Sequence, residues 1–153
     1  MMYFDQPEKL IAHRGKMRFI DRVLDATDKG LSAESIVDSG HIFYDPDFNG
    51  LPAWVGIELM AQAVAAWVGL EDLKNHQEIT LGFLLGSRDF IAEQAFFPLG
   101  KLQIDVRVIL AADNTMVFSG EIKDQSGEQL ARGDITCYRP EDLSAYLKGN
   151  VEW

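Results

Sequence analysis

The run LPAWVGIELMAQAVAAWVGL, residues 51–70, constrains this chain more than any other stretch. Its Ala, Leu, Met and aromatic content reads as a helix. Pro52 suits the first turn, where a missing N–H has no intrahelical partner to lose, and Gly69 closes the pattern. Such a helix spans roughly 27 Å at about 1.5 Å per residue. A surface helix carries one apolar stripe and one charged face. This one is apolar almost all round, and Glu58 and Gln62 are its only strongly polar side chains. It must therefore be wrapped by other parts of the chain, being too short and too polar at its centre to span a membrane. Glu58 and Gln62 lie four apart and share a face. A carboxylate in a buried helix costs several kcal/mol unless it is paired or protonated. Glu58 is thus the leading functional candidate, with an ion pair to an arginine as the structural alternative.

With 153 residues the chain is expected to form one domain over 1–153, large enough to bury about two thirds of its surface. A net charge of −10 argues against nucleic-acid binding, which draws on clustered Lys and Arg. Cys137 is the only cysteine, so neither an internal disulfide nor a paired-cysteine metal site is expected. It reads as an inert, buried small residue. No basic start followed by an apolar core and a small-residue cleavage site is seen, so the expected location is the cytoplasm, without membrane attachment.

Around the helix the patterns are β-like. Residues 19–24 and 31–37 read as strands joined by a turn at Asp28-Lys29-Gly30. A loop with Asp45-Pro46 and Asn49-Gly50 leads into the helix, and residues 71–78 form its polar exit. The apolar run 79–86 with two glycines reads as a buried strand, and 96–100 as a turn. Residues 102–108 alternate strictly, 116–122 return, and 129–138 follow a hairpin at Asp124-Gln125-Ser126-Gly127. A short surface helix is expected after Pro140. The pattern predicts an α+β fold, a long central helix wrapped by a curved antiparallel sheet.

Four blocks carry a resemblance across most of the chain. They are His13-Arg14 with residues 19–23, Leu51-Pro52-Ala53-Trp54 with Ile57-Glu58-Leu59-Met60-Ala61-Gln62, residues 82–86 with Arg88 and Phe90, and the late strands ending at Cys137-Tyr138. On these the chain resembles the hot-dog 3-hydroxyacyl-[acyl carrier protein] dehydratases, the FabZ and FabA group, and within it the ApeP-like branch of aryl polyene pathways. The resemblance implies a hot-dog fold and a dimer, homomeric or heteromeric, with active sites at its interface. In such a site a His of one subunit faces an acid on the partner's central helix. The matching acid is Glu58. Counted back without gaps, the family's His position falls on Tyr44, and His41 stands three residues further back. A short loop insertion makes His41 the equivalent. The Gly that usually follows the helix-start Pro is Ala53.

Dehydrating a 3-hydroxyacyl thioester takes a base at Cα, an acid for the β-hydroxyl and a group that stabilises the enolate-like oxygen. Those roles fall to His41, Glu58 and the N–H groups around Ala53 to Val55. Gln62 orients the carboxyl group, and Pro52, Ala53, Trp54, Gln62 and Phe83 contact substrate. Neither a metal nor a cofactor is implied. The substrate is a carrier-protein or coenzyme A thioester, and an acidic carrier calls for a basic patch. Arg14, Lys16, Arg18 and Arg22 are its candidates, joined by Arg88 and Arg139. His13 reads as a hydrogen-bonded structural residue and His76 as solvent-exposed. Trp54 and Trp67 read as core, although an acyl tunnel would look alike. Two readings stay open beside dehydratase: a thioesterase, in which a carboxylate activates water, and a non-catalytic partner subunit of a heteromeric dehydratase.

Overall fold

A computed structural model describes residues 4–75 and 83–138. Strands β1 (Arg22–Thr27) and β2 (Gly30–Val37) precede a short β3 (Gly50–Pro52) and the helix α1 (Val55–Lys74). After it come β4 (Phe83–Ala92), β5 (Phe96–Pro98), β6 (Gly100–Ala112), β7 (Thr115–Lys123) and β8 (Gln129–Tyr138). Six strands form one antiparallel sheet in the order β1-β2-β6-β7-β8-β4, and β3 pairs with β5 beside it.

The strict alternation of β6 puts Leu102, Ile104 and Val106 against the helix while Gln103, Asp105 and Arg107 face the other way. Phe118 and Ile122 of β7 and Ile135 of β8 continue that apolar face. α1 packs on β2, β6, β7 and β8, its Leu59, Met60, Ala63, Val64 and Ala66 fully buried, so the wrapped-helix expectation holds. The close approach requires a glycine in β7, since a Cβ on Gly120 would stand 2.5 Å from the Met60 sulfur.

Several boundaries differ from the sequence reading. Pro52 ends β3, and the helix starts three residues later at Val55. Gly69 does not close α1, which runs on to Lys74. Gly69 is instead where the N-terminal segment crosses the helix, and a Cβ there would lie 2.5 Å from the Leu10 carbonyl oxygen. Residues 96–98 form strand β5 rather than a turn, because Leu51 and Phe97 pair across β3 and β5 and are both buried. β1 begins at Arg22, and Phe19 and Ile20 belong to the segment before it. His76, Gly82, Arg139 and the helix expected after Pro140 lie outside the described residues.

Candidate active site

The segment before β1 forms a strap over α1. Leu10 and Ile11 anchor it in the core, and Arg14 shapes it by donating to the carbonyls of Ile11 and His13. Further on, Met17 and Phe19 meet Gln62, whose side chain is fully buried. Gln62 Oε1 accepts the Phe19 N–H at 2.7 Å, while Nε2 donates to the Met17 carbonyl at 2.8 Å and to Glu58 Oε1 at 3.0 Å. Both N–H donors and the oxygen of this buried amide are thereby partnered, as burial demands. Ser35 Oγ donates to the Phe19 carbonyl at 2.6 Å and ties the strap to β2.

Glu58 sits in the first turn of α1. His13 reaches it from the strap, with Nε2 at 3.1 Å from Glu58 Oε1. No arginine pairs with Glu58 among the described residues, where its contacts are with His13 and Gln62. The helix is not closed over at this point either. The Glu58 side chain is 34% exposed, and Ile57, Ala61, Ala65 and Val68 continue a half-open apolar stripe along the same flank.

His41 is placed elsewhere. Its ring lies 4.5 Å from that of Phe19, and its Nδ1 accepts the Phe43 N–H at 3.1 Å. The neutral ring therefore carries its proton on Nε2, which is buried without a partner among the described residues. Burial keeps the ring's pKa below 6.5, partly offset by Asp38 and Asp21. A cleft of about 140 Å³ adjoins it, bordered by Lys16, Arg18, Asp21, Asp38 and Gly40. Burial also raises the Asp21 pKa, against the Ile36 N–H bond and Arg18. His41 makes no hydrogen bond or ion pair with Glu58 of the same chain.

At the helix start, Pro52 is the last residue of β3 and the Ala53 N–H donates to the Ala95 carbonyl at 2.9 Å. The Trp54 and Val55 N–H groups make no hydrogen bond among the described residues and carry the positive end of the helix dipole. Trp54 is 58% exposed, and its ring stands edge-on to Phe43 at 5.0 Å. Phe83 opens β4 opposite Tyr138, and its side chain lies outside the described part of the structure. Arg88 is on the edge strand opposite to β1, away from Arg22 in strand order, and Arg22 pairs with Asp5 at 3.4 Å.

A family model of ApeP dehydratases matches residues 5–148. The chain belongs to the ApeP-like dehydratase family. In three dimensions it is similar to the dehydratase heterocomplex ApeI:P from Xenorhabdus doucetiae, with a TM-score of 0.85 and 26% identity over 94% of this chain and 97% of that one. It also matches a hypothetical thioesterase with coenzyme A from Streptococcus pneumoniae, with a TM-score of 0.60 and 14% identity over 76% of this chain and 83% of that one. The PaaI protein of the E. coli phenylacetic acid degradation operon matches with a TM-score of 0.62 and 13% identity over 76% and 81%. The last two show the fold alone, and that fold is the hot-dog. No curated protein sequence matches.

Of the residues singled out from sequence, the fold brings Glu58 and Gln62 into one hydrogen-bonded unit and seats Trp54 at the helix start. It adds His13, to which the sequence reading gave a structural hydrogen bond without naming the acceptor. A contact spanning 13 to 58 leaves no trace in local spacing. The one hint was that His13-Arg14 belongs to the first resemblance block.

Proposed function

We propose that this chain is a hot-dog subunit of a 3-hydroxyacyl thioester dehydratase whose active site is completed by a second hot-dog subunit. The observation that carries the reading is the state of Glu58. Its carboxyl group is fixed from one side by His13 and Gln62, yet stays a third exposed beside an open apolar stripe. A second subunit laid on that stripe would cover Ile57, Ala61, Ala65 and Val68 and remove water from the carboxyl, where its interactions with substrate strengthen.

In this reading Glu58 gives a proton to the departing β-hydroxyl, which leaves as water. An imidazole removes the α-proton, and the electron pair of the broken Cα–H bond forms the new Cα–Cβ double bond. The Trp54 and Val55 N–H groups, which have no partner among the described residues, hold the thioester oxygen as charge develops on it. His41 acts as that imidazole across the interface, toward the acid of the other subunit. As a base it must present an unprotonated Nε2, which requires its Nδ1 to give up the Phe43 N–H and take the proton. Tyr44 at the family's ungapped His position makes the alternative concrete: the second subunit supplies the base and this chain supplies only the acid. The match to a heterocomplex supports a partner of related fold, and the substrate is a thioester of a carrier protein or coenzyme A.

The test is to assay the chain alone and co-expressed with a related hot-dog subunit on 3-hydroxyacyl thioesters. Formation of the conjugated enoyl thioester should be lost by about 10²–10⁴-fold in Glu58→Gln, the range for one positioned acid. Release of free thiol and a carboxylic acid instead would establish thioesterase chemistry and end this reading.

A further inference from the structure

Glu58 Oε1 accepts from Gln62 Nε2 at 3.0 Å and faces His13 Nε2 at an ion-pair distance of 3.1 Å, while Oε2 has no partner among the described residues. A protonated carboxyl carries its hydrogen on one oxygen only. Two donors aimed at Oε1 exclude the proton from that atom and direct it to Oε2. We propose that His13 is a positioning residue for the dehydration, making Oε2 the proton-donating atom of Glu58. The inference rests on the dehydratase reading above.

The imidazole is built into place. The Arg14 guanidinium bonds the His13 carbonyl at 2.9 Å and also that of Ile11, so the strap's turn is held on both sides of the histidine. Leu10 lies against Gly69, and Gln62 pins Met17 and Phe19, which fixes the strap before and after His13. His13 Nδ1 is buried without a hydrogen-bond partner among the described residues, and Nε2 is the nitrogen turned to Glu58. Gln62 alone would leave the carboxyl free to swing about its single hydrogen bond. The second donor removes that freedom, and reactions in a preorganised site lose rate steeply when a reacting atom is misplaced.

The experiment compares the assembled wild-type dehydratase with His13→Gln, His13→Leu and Glu58→Gln, with thermal melting as a control. The glutamine amide can donate to Oε1 and should keep kcat within a few-fold. The leucine cannot, and kcat should fall roughly 10- to 100-fold at nearly constant KM, as for a lost hydrogen bond to a charged group. Full kcat in His13→Leu with loss in Glu58→Gln would overturn this proposal alone. Retained dehydration in Glu58→Gln would overturn the role of Glu58 as the acid, on which this proposal rests, and thioester hydrolysis by the wild type in place of dehydration would overturn the dehydratase reading itself. Independently of turnover, nitrogen-15 NMR of the histidines should show His13 protonated at Nε2, with that proton's signal altered in Glu58→Gln. A ring protonated only at Nδ1 would refute the donor role.

Discussion

The Gln62 amide oxygen accepts the Phe19 N–H at 2.7 Å, and this bond decides which way the amide faces. With its oxygen held there, Nε2 can only point at Met17 and Glu58. Gln62→Leu should therefore cost roughly 2–4 kcal/mol, since each buried group left without a partner costs about 1–3 kcal/mol. Gln62→Glu should also destabilise, because the Met17 carbonyl and the Glu58 carboxylate would face an acceptor where they now meet a donor. Urea denaturation of both variants measures this. A midpoint unchanged in Gln62→Leu would mean that the strap is not held by this side chain.

Gly69→Ala sets two effects against each other. Alanine favours a helix interior over glycine by about 1 kcal/mol. The added Cβ would stand 2.5 Å from the Leu10 carbonyl oxygen, a backbone atom of the strap that cannot rotate away. Overpacking of this kind costs typically about 1–3 kcal/mol and should win. The variant is expected to melt lower than wild type, and any resulting shift of the strap should also lower turnover through His13.

The two tryptophans should behave oppositely. Trp67 is 7% exposed, stands edge-on to Phe118 at 5.6 Å and donates its indole N–H to the Thr27 carbonyl at 2.8 Å. Replacing it by alanine should cost about 3–5 kcal/mol, as for other buried aromatics. Trp54, 58% exposed, should tolerate alanine within about 1 kcal/mol. Its loss should instead weaken assembly or substrate binding, read by size-exclusion chromatography and by KM. Equal destabilisation by the two variants would contradict this division.

Local periodicity made the sheet legible. β8 covers the span read from sequence, and β6 and β7 extend theirs by a few residues, because strict alternation reports a sheet with one buried face. The helix was legible from its composition, but not its start. Pro52 fits a first helical turn as well as the end of an edge strand, and only its β3–β5 pairing decides between them. Gly69 looked like a stop because a glycine's crossing partner, here Leu10, is invisible in sequence. The same limit applies to the site. Glu58 and Gln62 share a face by helical spacing, whereas His13 comes to Glu58 through a strap whose course follows from tertiary packing. His41 was selected for its closeness to a motif position, and spacing carries no information on the Phe43 N–H that sets its tautomer.

That tautomer leads to a pH prediction. Burial is the largest influence on His41 and lowers its pKa from 6.5, while Asp38 and Asp21 oppose it and Lys16 and Arg18 border the same cleft. In the unfolded chain the ring takes a proton at its ordinary pKa, so below 6.5 the unfolded state binds more protons than the native one. The contribution of the neutral ring is thus fully present above that pH and is lost as pH falls through 6.5 toward the depressed native value. Protonation also removes the lone pair that accepts the Phe43 N–H. Asp21 works in the opposite sense and in a different window. Its pKa is raised from 3.8, so its stabilising share is present below that value and fades as pH rises through the native one. Wild-type urea midpoints should therefore fall between about pH 7 and pH 5.5, bracketing the unperturbed histidine value. His41→Asn, whose side-chain oxygen can still take the Phe43 N–H, should show a clearly shallower fall over the same interval. Parallel curves for the two proteins would assign the acid sensitivity to another group.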